Sequence, residues 1–87
     1  MKTVKELKES LTSEKYSPNG LATLLTKEGF FSKLTGDAIL KMQRPQGRLN
    51  ESGSKKVFLH VEKDPGKNGR NHIYSKDFTA FYEELLK

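Results

Sequence analysis

Residues 57–74 read VFLHVEKDPGKNGRNHIY, and the pattern changes twice within them. Val57, Leu59 and Val61 alternate with Phe58, His60 and Glu62, the period of a half-buried strand. Asp64-Pro65-Gly66-Lys67-Asn68-Gly69 has the composition of a turn. Asn71-His72-Ile73-Tyr74 then reads as a short returning strand. The stretch predicts a β-hairpin with a basic, glycine-rich tip.

On its C-terminal side, Ser75 is the expected cap of a last helix, with Phe78, Phe81, Tyr82 and Leu85 on one face. On its N-terminal side, Gly47 to Ser54 reads as a polar loop. Before that loop the period is helical. Thr3 and Glu6 form a capping-box pair ahead of Val4, Leu7 and Leu11. Ser17-Pro18 is a helix start, and Leu21, Leu24 and Leu25 run on to Gly29, a helix stop. Phe30 and Phe31 are expected to plug the core from the following turn. Thr35 caps a third helix expected to run through Gln43, and Pro45 ends it. The predicted order is helix, helix, helix, strand, turn, strand, helix. This is one α+β domain over residues 1–87, with no internal repeat and no dividing linker.

The charge is unevenly placed. The chain of 87 residues carries a net charge of +5. Residues 41–72 hold eight basic residues (Lys41, Arg44, Arg48, Lys55, Lys56, Lys63, Lys67, Arg70) against Glu51, Glu62 and Asp64, so this middle third alone accounts for +5. Such asymmetry points to an anionic partner. No apolar run approaches the roughly 20 residues of a membrane span, so no membrane association is expected. The charged segment Met1 to Leu11 is not a signal peptide. Together with the absence of cysteine, this predicts a protein of the reducing cytoplasm. Asn50-Glu51-Ser52 matches a glycosylation sequon but carries no meaning without secretion.

Catalytic patterns are missing. His60 and His72 fall on different strands without a third ligand, so no metal site is expected. No serine, histidine and acid form a triad pattern, and no close carboxylate pair stands out. Gly66 and Gly69 have the wrong spacing for a phosphate-cradling nucleotide loop. The sequence therefore predicts a non-enzymatic domain with no cofactor.

Two segments resemble a known superfamily. Tyr16-Ser17-Pro18-Asn19-Gly20-Leu21-Ala22-Thr23-Leu24-Leu25 resembles the opening of excisionase-type and MerR-type DNA-binding domains. Residues 66–82, from Gly66 through Arg70 and Tyr74 to Tyr82, resemble the wing and following helix of excisionases and phage terminase small subunits. Together they cover about a third of the chain. The resemblance implies a winged helix-turn-helix: three helices, a two-stranded β-hairpin wing and a C-terminal helix. It also implies double-stranded DNA binding in a phage or mobile element, as regulator, excisionase or packaging or replication accessory.

On that plan the third helix and the residues after it offer Lys41, Gln43, Arg44, Gln46 and Arg48 to bases and phosphates. Thr35 offers a helix N-terminus to a phosphate, as Ser17 does, although plain capping explains both. Lys55 and Lys56 extend the basic surface. Lys67, Asn68, Arg70 and Asn71 form the wing tip, suited to the backbone or the minor groove. A homodimer or cooperative array is expected, because one small module buries limited surface. Two other readings stay open. Phe58 and His60 would stack on single-stranded bases, or the scaffold would serve as a protein-interaction module, an adaptor or an inhibitor.

Overall fold

Thr3 and Glu6 form the capping box their spacing predicts: each side chain bonds the other residue's backbone N–H, opening helix α1, Val4–Ser10. The computed structural model describes residues 2–66 and 69–87. Strand β1, Lys15–Tyr16, follows α1, and the Ser17 hydroxyl then accepts from the Gly20 N–H to start α2, Pro18–Lys27. Gly29 takes φ +81°, which turns the chain and lets Phe30 and Phe31 drop into the core. The Thr35 hydroxyl accepts from Ala38 N–H at 3.1 Å and opens α3, Gly36–Leu40. Here α2 and α3 approach so closely that a Cβ at Gly36 would collide with the Asn19 side chain.

Beyond α3 come β2 (Arg48–Leu49), β3 (Lys56–Val57), β4 (Glu62–Lys63), β5 (Asn71–Tyr74) and α4 (Ser75–Leu85). The strands form two antiparallel groups. One has the order β1-β5-β4, with Tyr16 opposite Ile73 and Glu62 opposite His72. The other is the hairpin β2-β3, with Arg48 opposite Val57. Helix α4 lies across α1, β3 and β5. Its Phe78, Phe81, Tyr82 and Leu85 are all buried, and the edges of Phe30 and Phe31 meet the Tyr82 ring. The Tyr82 hydroxyl donates to the Lys2 carbonyl at 2.6 Å, so the aromatic core also ties down the first turn of the chain. The architecture is α+β, with four helices and small antiparallel sheets.

Four expectations need correction. The third helix ends at Leu40 rather than Gln43, because residues 41–46 turn to bring Met42 into the core at 2 % exposure. Residues 47–54 are not simply a loop, since β2 pairs with β3. The expected strand from Val57 to Glu62 is interrupted: Leu59 gives its N–H to the Met42 carbonyl at 2.9 Å instead of to a strand. Its alternation of burial survives only as far as His60, with Val57 and Leu59 buried and His60 exposed, while Val61 and Glu62 are both half-buried. Finally, Ser75 does not cap α4. Tyr74 holds the cap position without a side-chain bond. The Ser75 hydroxyl donates to the Ser13 carbonyl and its N–H to Glu14, pinning α4 to the entrance of β1.

Asn50 closes the β2-β3 loop. It is 5 % exposed, and its Oδ1 accepts from the Ser54 and Lys55 N–H groups while its Nδ2 donates to the Ser54 hydroxyl. Glu51 N–H in turn donates to the Leu85 carbonyl at 2.7 Å, docking the loop on the end of α4. Asn50→Ala leaves two backbone donors without their acceptor, and we expect a loss of about 1–3 kcal/mol in thermal or urea denaturation. An unchanged midpoint would show that the hairpin closes without it.

Candidate nucleic-acid interface

The turn after α3 is held from both sides. Met42 is buried beneath it, and Gly47 N–H donates to the Gln43 carbonyl at 3.1 Å. Gly47 itself has φ +65°, and a Cβ there would lie 2.8 Å from the Phe58 ring and from the Val57 carbonyl oxygen. Only glycine lets this turn rest directly on Phe58. That contact places Arg44, whose guanidinium carbon sits 4.1 Å from the Phe58 ring centroid. Four residues later Arg48, on β2, lies 5.0 Å over the Phe31 ring. A cation over an aromatic face gains about 0.5–1 kcal/mol at exposed sites, which narrows the range of each long side chain.

Both arginines are exposed, and among the described residues neither forms a salt bridge. Two acids of the same basic third have other partners: Glu62 bonds His60 at 2.7 Å, and Asp64 meets His72 Nδ1 at 3.1 Å. Two exposed guanidinium groups without a carboxylate partner among the described residues can meet an outside anion, and their fork of donors suits bidentate phosphate or base contacts.

The other candidate residues are spread over several elements. Gln43 is half-buried beside Arg44, and Gln46 is exposed in the same turn. Lys41 is exposed at the end of α3. Lys56 is exposed on β3, opposite Leu49, a leucine 58 % exposed. Lys55 is drawn toward α4, with its Nζ 3.8 Å from Glu84. Arg70 is exposed just before β5, and its carbonyl accepts from Asp64 N–H at 3.0 Å. Asn71 pairs with Lys63, an exposed lysine that the sequence reading had not singled out. Thr35 stands at the opposite end of α3, with its hydroxyl engaged in capping. Lys67 and Asn68, expected at the wing tip, lie outside the described residues.

Sequence reasoning missed the aromatic seats of the two arginines. Phe58 lies far from Arg44 along the chain, and Phe31 far from Arg48, so no short-range pattern announces either stack. It also missed the His60–Glu62 pair, although a His-x-Glu alternation on one strand face is a signal for it.

The bond from the Glu62 carboxylate, with a smaller contribution from its charge, raises the His60 pKa above the ordinary imidazole value. A group raised in the folded state contributes stability below its unfolded pKa and loses it as pH rises through the folded one. In an NMR titration His60 should titrate above about 6.5, and Glu62→Gln should bring it back down. A His60 that titrates identically in both proteins would mean the pair is not formed.

Among the described residues no helix is long and apolar enough to cross a membrane. No known protein family, characterised protein or solved structure matches the chain.

Proposed function

We propose that this chain binds double-stranded DNA as a winged helix-turn-helix domain, with β4-β5 as the wing. Three helices with a short strand between the first two, then the antiparallel pair β4-β5 after an inserted β2-β3 hairpin, with β1 paired to β5, support that reading. The observation that carries it is the pair Arg44 and Arg48, each seated on a phenylalanine and without a carboxylate partner among the described residues. Lys56 on β3, Lys63 on β4 and Arg70 before β5 are further exposed cations of the same basic third.

On this reading α3, with only 5 residues, orders the turn that follows it, and the arginines of that turn and of β2 make the contacts. They meet phosphates first, which fixes register on the duplex. Because one module buries little surface, tight binding takes two copies or an array. The resemblance to excisionases and terminase small subunits supports a role in a phage or mobile element.

Fluorescence anisotropy with a labelled duplex, repeated across salt concentrations, tests the proposal. Log affinity should fall linearly with log salt, by about 0.9 for each phosphate contact. A protein that binds no duplex at low salt would overturn it and favour a protein-interaction module.

A further inference from the structure

A groove of about 310 Å³ lies beside the Arg44 stack, lined by Gln43, Arg44 and the four residues Phe58–Val61. Its walls have an unusual composition for a surface depression. The Phe58 ring is covered on one face by the Arg44 guanidinium, whose outer face has no acidic partner among the described residues. The His60 ring is 64 % exposed and is held in place by its bond to Glu62. Gln43 brings an amide, with both a donor and an acceptor. The segment Phe58–Val61 belongs to neither strand ladder, so the backbone groups of His60 and Val61 are not committed to strand pairing.

Planar π-surfaces next to unassigned donors and acceptors are what an unstacked nucleobase requires. Its faces stack on aromatic rings or guanidinium planes, and its edge is read by hydrogen bonds. A base inside a regular duplex presents no face. We propose that this groove is a subsite for one nucleobase extruded from the helix, stacked on the outer face of Arg44 with His60 alongside and Gln43 at its edge. The inference rests on the reading that the chain binds nucleic acid, and it adds a preference for sites where a base is unpaired.

The test compares two duplexes of the same sequence, one fully paired and one with a single bulged thymidine at its centre. The bulged duplex should bind about tenfold tighter, the scale of one base–aromatic stack. His60→Ala should abolish the preference while the fully paired duplex keeps its affinity, and His60→Phe should retain the preference. His60 is exposed, so these changes leave the core intact, which far-UV circular dichroism checks. Equal affinity of the wild type for both duplexes overturns the subsite and leaves duplex binding standing. A preference that survives His60→Ala assigns the bulge to another part of the surface and also overturns it. Binding to neither duplex removes the proposed function, and the subsite with it.

Discussion

Phe81→Ala should leave a chain with little or no net stability at room temperature. Phe81 is 3 % exposed, its ring centroid lies 5.7 Å from that of Phe78, and it belongs to the face by which α4 covers α1, β3 and β5. Removing a buried phenylalanine ring costs about 3–5 kcal/mol, the transfer term plus the cavity left behind. Domains of this kind hold about 5–15 kcal/mol in total, and a chain of this size without disulfides stands near the lower end. The loss would spread beyond the cavity. Leu85 accepts the Glu51 N–H, so a loosened α4 releases the β2-β3 loop and the strand that carries Arg48. Far-UV circular dichroism against temperature and urea reads the effect. A cooperative transition with a near-native midpoint would show that α4 is peripheral to the core.

The second large effect concerns binding rather than folding. The double change Arg44→Ala, Arg48→Ala should weaken duplex affinity by about 100-fold or more, since each charged hydrogen bond contributes about 1.5–3 kcal/mol. It should also flatten the slope of log affinity against log salt by about two, because two phosphates lose their cations. The double variant should stay folded at the temperature of the assay. Both side chains are exposed, and what each leaves is an aromatic contact of about 0.5–1 kcal/mol. The pattern of loss across sequences carries further information. An equal loss on every duplex assigns the arginines to phosphates. A larger loss on one sequence assigns them to base edges, where each contact discriminates by about 1–3 kcal/mol. A folded double variant with unchanged affinity and slope would remove both arginines from the interface.

What the sequence by itself determined is local. The capping box at Thr3 and Glu6, the Ser17-Pro18 start and the Thr35 cap are all present, because each depends on groups three residues apart whatever the rest of the chain does. The stripe Phe78, Phe81, Tyr82, Leu85 is buried and Asn71–Tyr74 is a strand, because helical and strand periods are written in neighbouring residues. The concentration of charge in residues 41–72 is likewise a property of the chain alone.

Tertiary structure decided what joins distant segments. Ser75 is an ideal cap by composition, yet its hydroxyl goes to Ser13, 62 positions away, once β1 has paired with β5. The alternating run from Val57 breaks because the Met42 carbonyl is available to Leu59. Met42 is there only because the third helix stops early and buries it. From sequence Arg44 looks like the exposed end of a recognition helix and Arg48 like part of the polar loop after it. In the fold they are a turn residue and a strand residue, each resting on a phenylalanine from another segment. Periodicity and capping rules extend over about one or two turns of chain. Strand partners and aromatic seats depend on which surfaces meet when the core closes, and nothing within that range encodes them.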